Sequence, residues 1–385
     1  MKKIYCILIF IIVIFLNSSN VYCDNLSNDN EISRYFENEM NNTDYIIAKA
    51  KIISIEYDDT MEKRDVPLES DIRYQHIKVK ILNGKFKGQS LVLKHTVERI
   101  MPGNYIFKNG DKILLRITER DGNIDTVKIQ EKIRDTQVFI IIGLFIALLL
   151  IFGKLSGLKT LISLFLTISL IIFAYIPLIL KGFSPIISSI IISIIAIILT
   201  LIIISGFNKK TLVAVIGTSI GVIMAGILAI IFGKVSHLTG LSDDNSISLA
   251  YIPQFRNLNY QGILFGTMLI GAIGAVMDVA ISIASSLFEM KLINGNISKK
   301  EMFSSGMNIG RDMLGSMSNT LILAYVGTSL HLIMLFMVYK IKFIEIMNLD
   351  SIATEIIRAM AGSIGLIITI PITVAIGVYY YVIKK

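Results

Sequence analysis

One acidic residue, Asp278, lies near the middle of a long apolar stretch. A charged side chain at that depth costs at least ~2.5–3.5 kcal/mol on insertion scales, so it persists only beside water or a partner, or in protonated form. Small and polar residues recur around it at helical spacing, which places them on one side of a helix; they are Gly271, Gly274, Ala275, Asp278, Ser282, Ser285 and Glu289. Two interpretations follow: a proton, ion or substrate site, or a hydrogen bond that joins neighbouring helices.

A second polar cluster precedes the next apolar stretch and continues into it. Four of its residues follow helical spacing, namely Asn308, Asp312, Gly315 and Asn319. Arg311 lies beside them, and the natural partners of its guanidinium are the carboxylates of Asp278, Glu289 and Asp312. A buried pair of this kind would permit the two arrangements that a gate requires. Simple anchoring of an arginine at the membrane boundary is the alternative.

A proline stands in the middle of the last apolar stretch. Pro371 is surrounded by small and hydroxylated residues, and broken helices of this type occur where backbone lines a cavity. A kinked helix without any site explains the same pattern. The residues predicted to line a substrate or ion pathway are Asp278, Ser282, Ser285, Glu289, Asn308, Arg311, Asp312, Asn319 and Pro371.

The elements that carry these residues are predicted membrane spans. The chain of 385 residues is 54% hydrophobic and only 17% charged, which excludes a soluble enzyme, a fibrous protein and a disordered one. An α-helical bundle of about seven spans is predicted, at 138–152, 158–180, 183–205, 211–232, 263–288, 317–339 and 359–382. The excess of lysine and arginine lies between apolar stretches, which indicates membrane-flanking charge rather than nucleic-acid binding.

The first 23 residues have the composition of a secretory signal peptide. Two lysines precede an apolar run at 4–16, which is too short for a span. Cleavage after Cys23 is predicted, with an uncleaved anchor as the alternative. Cys6 and Cys23 are the only cysteines, so the mature chain would contain no disulfide, thiolate metal site or cysteine nucleophile.

Residues 24–135 are predicted to form a β-rich extracytoplasmic domain, and residues 136–385 the membrane domain. Five alternating segments separated by glycine turns indicate a small barrel, for which an OB-type fold, a meander and a sandwich all remain open. Two histidines, His76 and His95, are read as strand residues in preference to metal ligands. A basic hairpin offers an anionic partner a surface, although a solvated edge explains it as well; its lysines are Lys78, Lys80, Lys85, Lys87 and Lys94.

Three stretches resemble the YibE/F-like family of bacterial multispanning proteins: Gly271–Glu289, Gly306–Tyr325 and Gly362–Pro371. The resemblance covers essentially the whole chain and matches the family motifs at five positions, namely Asp278, Asn308, Arg311, Asp312 and Asn319. It implies an integral membrane protein, for which a permease function has been supposed, and it carries over no catalytic residue.

Two functions remain in competition. The first is a permease with its polar pathway between spans five, six and seven. The second is a non-transporting assembly or sensing protein whose outer domain binds a protein or anionic partner. An intramembrane enzyme is not expected, because Asp278 is the only acidic residue well inside a predicted span and His331 is alone in its span. No phosphate-binding motif occurs, so a transporter would not be driven by its own ATPase. No cofactor and no metal are expected.

The predicted partners are the lipid bilayer and a small solute or ion, and a homo-oligomer is compatible with the sequence. The predicted inner loops contain more lysine and arginine than the outer ones, which favours a C-terminus in the cytoplasm. The chain is accordingly predicted to be a multi-pass protein of the cell membrane with residues 24–135 outside.

Overall fold

The computed structural model describes residues 45–60, 72–98, 105–120 and 122–383. The predicted signal peptide or anchor at 1–23 lies outside these residues. The chain divides into two compact units, and the boundary falls within a helix, between Leu148 and Leu149.

The first unit contains a nearly closed antiparallel barrel, as the glycine-punctuated alternation predicts. Its strands are β1 (Tyr45–Asp58), β2 (Ile72–Ile81), β3 (Ser90–Glu98), β4 (Lys112–Arg120) and β5 (Asn123–Lys132). The sheet order is β3-β2-β1-β4-β5. Because β1 pairs with both β2 and β4, a simple meander is excluded. The end strands β3 and β5 approach each other, in the order of an OB-type barrel.

The barrel core follows directly from the alternation along the strands. Inward-facing residues of β1, β2 and β4 are almost fully buried, among them Ala50, Ile52, Ile77, Val79, Ile113, Leu115 and Ile117. The β2–β3 hairpin turns at Gly84 and Gly88, which have φ values of 79° and 91°. Glycine adopts this left-handed region without the steric cost that a Cβ atom adds.

The two barrel histidines lie on opposite faces of the sheet. His76 pairs with Lys94 across β2 and β3, whereas His95 pairs with Gln75, so consecutive positions point in opposite directions. His95 is half-buried against the Phe107 ring, with a centroid separation of 4.6 Å. Its Nε2 lies 2.8 Å from the carbonyl oxygen of Tyr105. The pair therefore forms no common metal site.

His95 should make the barrel less stable in mild acid. Burial lowers the pKa of His95, and the bond to the Tyr105 carbonyl only partly opposes this effect. The unfolded chain therefore binds a proton below about pH 6.5 more readily than the folded barrel does, and stability falls as the pH drops through that value. Pulse proteolysis should show that the barrel unfolds at a lower midpoint urea concentration at pH 5 than at pH 7.5.

The matched variant for this measurement is His95→Gln. A glutamine amide can donate a hydrogen bond to the same carbonyl but does not titrate. The midpoint urea concentration of the His95→Gln variant should change less between the two pH values than that of the wild type. An equal change in both proteins would assign the acid sensitivity to other groups.

The helices begin immediately after the barrel. Their bounds are α1 (Asp135–Leu170), a π-helical turn (Ile171–Tyr175), α2 (Ile176–Leu180), α3 (Pro185–Ser205), α4 (Lys209–Val235), α5 (Asp244–Tyr251), α6 (Tyr260–Ile293), α7 (Lys299–Thr328), α8 (Leu330–Val338), α9 (Phe343–Met347) and α10 (Asp350–Val378), with a π-helical turn at Tyr379–Ile383.

The number of candidate spans differs from the prediction of seven. Among the described residues, five helices are long and apolar enough to cross a membrane, or six if α7 and α8, which meet at a bend of 58°, form one span. The first two predicted spans belong to one helical run of 46 residues, Asp135–Leu180. The sequence predicts a break in this run between residues 152 and 158, and the non-helical residue Lys154 lies in that interval.

The helical run is broken at this point. Lys154 has φ 48° and ψ −128°, which is not helical, and a Cβ atom on Gly157 would overlap the carbonyl oxygen of Leu149. In a continuous helix, Leu149 and Gly157 would be separated by ~12 Å along the axis. The chain therefore folds back sharply at Lys154.

Three helices, α4, α6 and α10, form the centre of the second unit. Small residues allow α4 and α10 to approach closely: a Cβ atom on Gly217 would overlap Thr373, and one on Gly221 would overlap Thr369. The small-residue pattern of α4 is thus a packing feature. We call this contact the glycine–threonine seam. Helices α3 and α7 pack around the three central helices.

Candidate functional site

Helix α6 has one buried face and one open face. The buried side is apolar and includes Val276, Val279, Ala280, Ile283 and Leu287. The open side carries Gly271, Gly274, Asp278 and Glu289, all exposed in the isolated chain, with Ser282 and Ser285 half-buried between them. The predicted polar stripe is therefore a real surface feature, which we call the α6 stripe.

Asp278 occupies the middle of the α6 stripe. Its side chain is exposed in the single chain, and its carboxylate forms no hydrogen bond or ion pair with any residue that the structure describes. A Cβ atom on Gly274, one turn before it, would meet nothing within 4 Å. The space in front of Asp278 is therefore open within one copy of the protein.

Helix α7 also has two different faces. Gly306 and Gly310 are buried where the helix meets α10, against Val374 and Ile370 respectively. The polar residues predicted from sequence lie on the exposed part of the helix; they are Asn308, Arg311, Asp312 and Asn319. This surface is polar along much of the length of α7.

Arg311 does not form the ion pair predicted for it. Its Nη1 donates to Oδ1 of Asn308 at 3.2 Å, and the described residues show no ion pair with Asp278, Glu289 or Asp312. Asn308 and Arg311 are one turn apart on α7, so the helix itself brings these two side chains together. The expected inter-helical pair is absent because the α7 polar residues face outward instead of toward α6.

Arg311 and Asn308 line a cavity of about 500 Å³ at the first half of α7. Two further cations, Lys299 and Lys300, contribute to its wall, with Val378 from α10. Three positive side chains and no carboxylate line this cavity. The arrangement favours an anion or an anionic group.

Pro371 lies away from these residues. Helix α10 continues through it without a break, contrary to the broken helix that its position predicts. The exposed positions of α10 follow helical spacing, and all of them are apolar; they are Ile356, Met360, Ile364, Ile367, Pro371 and Ala375. The sharp bend between helices lies instead at Ser329, where α7 and α8 meet at 58°.

One polar group was missed by sequence reasoning. Arg358 Nη1 lies 3.3 Å from Glu355 Oε1, and the Arg358 guanidinium lies 5.9 Å from the ring centroid of Tyr325. Tyr325 in turn contacts α6, because its hydroxyl would be 3.1 Å from a Cβ atom on Gly271. We call Tyr325, Glu355 and Arg358 the Arg358 cluster. It adjoins the Gly271 end of the α6 stripe.

The Arg358 cluster contains unsatisfied polar atoms. Glu355 Oε2 and Arg358 Nε are buried in the described structure and have no hydrogen-bond partner. Such atoms are uncommon in native proteins and indicate water, an ion or a functional role. The acidic–basic pair three residues apart was visible in the sequence, but the predicted start of the last span at 359 assigned it to a loop.

Family comparison agrees with both structural units. The model described as YibE/F-like protein matches residues 141–382, and the YibE/F family N-terminal domain matches residues 44–132. The chain belongs to the YibE/F family. In this YibE/F chain the first match covers the α6 stripe, the polar face of α7 and the Arg358 cluster, and the second covers the barrel.

Other comparisons add no named relative to the YibE/F assignment. No curated protein matches the chain significantly, and neither does any solved structure. Family membership and the apolar helices together indicate a multi-pass membrane protein that contacts the lipid bilayer.

Proposed function

We propose that this YibE/F protein is a permease whose solute or ion moves along the α6 stripe. The observation that carries the proposal is the exposure of Asp278 halfway along a helix whose opposite face is fully packed. From Gly271 to Glu289 the stripe is roughly 27 Å long at the helical rise per residue. This length is close to the ~30 Å thickness of a hydrocarbon core.

Exposure of the stripe to lipid would be unfavourable. A carboxylate at the bilayer centre is costly, and exposed backbone near Gly271 and Gly274 adds no apolar surface in compensation. We therefore propose that a second copy of the chain covers the α6 stripe and the polar face of α7. That combined surface carries both signs of charge, from Asp278, Arg311 and Asp312, as a self-complementary interface requires.

Charged groups mark both ends of the proposed pathway. The Arg358 cluster adjoins one end, and the cationic cavity of Lys299, Lys300 and Arg311 is lined by the first half of α7. Glu355 and Arg358 already form an ion pair, whereas Arg311 is hydrogen-bonded to Asn308. This distribution supports Arg358, instead of Arg311, as the gating arginine.

The remaining features of the proposal follow the sequence. The protein would reside in the cell membrane with residues 24–135 outside and its C-terminus in the cytoplasm, and would not be an enzyme. Since the sequence contains no Walker A motif, transport would depend on an ion gradient or on a separate partner. Asp278 would be the group that binds the ion.

Thiol labelling tests whether the α6 stripe is wet and enclosed between copies. Cys6 and Cys23, the only cysteines, are first replaced by serine. Ser282→Cys should then react at least tenfold faster with a charged methanethiosulfonate reagent than Ile227→Cys, which is 43% exposed on α4 in an apolar environment. Gly274→Cys should form disulfide-linked dimers, because its Cβ meets nothing within its own chain.

Equal, slow labelling of Ser282→Cys and Ile227→Cys would show a dry stripe. Such a result would contradict the permease and favour the alternative of a non-transporting assembly or sensing protein. Dimers that form equally from a cysteine at Ile227 would contradict the proposed interface.

A further inference from the structure

A row of lysines crosses the outer surface of the barrel. The strand registers place Lys80 of β2 opposite Lys51 of β1, and Lys51 opposite Lys112 of β4. All three side chains are exposed, and directly opposed residues have Cβ atoms roughly 4.5–5.5 Å apart. Like charges in this position destabilise a sheet, so the barrel retains an arrangement that weakens it.

The row is not neutralised within the described part of the chain. Lys51, Lys80 and Lys112 form no ion pair there, whereas most other charges nearby do. Lys49, two residues before Lys51 on the same face, pairs with Asp135. Glu131 pairs with Arg134, and Asp111, next to Lys112, pairs with Lys132. Six cations and three carboxylates leave an excess of three positive charges.

The lysines also adjoin the start of an apolar helix. Lys49 and Lys112 line a cavity of about 560 Å³ together with Asp135 and Thr136 at the first turn of α1. Its apolar wall is provided by Leu82 of the barrel and by Phe139 and Ile140 of α1. The last two residues are 70% and 65% exposed and lie near the start of a helical run that is apolar enough to cross a membrane.

This combination determines which ligand would fit. A soluble anion would be satisfied by the lysines but would make no use of the apolar wall, which belongs to a helix long and apolar enough to cross a membrane. A neutral lipid would cover the apolar wall but would not compensate the opposed lysines. We infer that Lys49, Lys51, Lys80 and Lys112, with the first turns of α1, form a binding site for the headgroup of an anionic phospholipid. The phosphate lies against the lysines and the acyl chains follow α1.

The site is independent of the proposed permease function. Every residue in it belongs to the first compact unit, and none belongs to the α6 stripe. Basic side chains next to a membrane surface each contribute about fivefold to the affinity for anionic lipid. Binding at this site should consequently weaken as ionic strength rises.

Lipid binding to the detergent-purified full chain can be measured by native mass spectrometry with phosphatidylglycerol. The triple variant Lys51→Gln, Lys80→Gln, Lys112→Gln should lose roughly a hundredfold in apparent affinity. The charge-matched control Lys87→Gln, Lys108→Gln, Lys128→Gln changes three exposed barrel lysines outside the site and should retain wild-type affinity. Replacement of the same three site lysines by arginine should also retain it.

Four outcomes would overturn the inference. They are an equal loss in both glutamine triple variants, wild-type affinity in the site variant, equal binding of phosphatidylcholine and phosphatidylglycerol, and full competition by inorganic phosphate at equal concentration. The last would identify a free anion as the ligand. The melting temperature of each variant, including the arginine variant, shows whether a loss of binding is caused by a loss of folding.

Discussion

Asp278→Asn should reduce flux through the reconstituted protein by at least tenfold. Asparagine keeps the size of the side chain but cannot ionise, so it removes the charge on which ion binding depends while leaving the α6 stripe polar. The measurement uses liposomes with a sealed pH-sensitive dye to report proton entry, and with trapped radioactive rubidium to report cation efflux. Stability should change little, because the Asp278 carboxylate has no hydrogen-bond partner in the described structure.

The matched control for this experiment is Asp244→Asn. Asp244 is exposed in the first turn of α5 and lies outside the three polar groups of the site, so its flux should equal that of the wild type. If Asp278→Asn has wild-type flux for both probes, Asp278 is not part of the transport mechanism. If it instead reduces the amount of folded protein and no flux exists in the wild type, the residue serves assembly.

Gly221→Ala should destabilise the membrane domain by roughly 1–3 kcal/mol, the usual cost of overpacking. The new Cβ atom would overlap Oγ1 of Thr369 and lie only 3.0 Å from Thr369 Cβ and Val276 Cγ1, so α4 and α10 must separate. Thermal unfolding in detergent, followed by circular dichroism, should show a lower melting temperature. Gly143→Ala, whose Cβ meets nothing within 4 Å, should not lower it.

A double substitution tests whether the seam itself is responsible. Thr369→Ala removes the overlapping hydroxyl oxygen, so Gly221→Ala combined with Thr369→Ala should recover much of the lost stability. Coupling between the two positions would appear as non-additive free energies. Strict additivity would show that the cost of Gly221→Ala arises elsewhere.

Local patterns in the sequence were sufficient to predict the barrel strands and the α6 stripe. Alternation between glycine turns is a direct consequence of strand geometry, and the spacing around Asp278 is a direct consequence of helix geometry. Both are properties of one element, so no knowledge of its neighbours is needed.

Contacts between elements could not be derived in this way. The partner of Arg311 depends on the rotation of α7 about its axis, which is set by Gly306 and Gly310 packing on α10. Pro371 was expected in the pathway because a proline in mid-span is typical of broken helices that line a cavity, but only the packing of α10 determines which face it occupies. Glu355 and Arg358 were missed because a boundary error of a few residues decides whether a charge counts as intramembrane.

The glycine–threonine seam has a consequence for biogenesis. Gly221 and Thr369 are roughly 150 residues apart, and at a synthesis rate of 5–20 residues per second α4 emerges many seconds before α10. During that interval the groove along α4 lacks the helix that fills it. Insertion factors would have to protect this nascent intermediate, and a chain truncated before α10 would present the empty groove to membrane proteases.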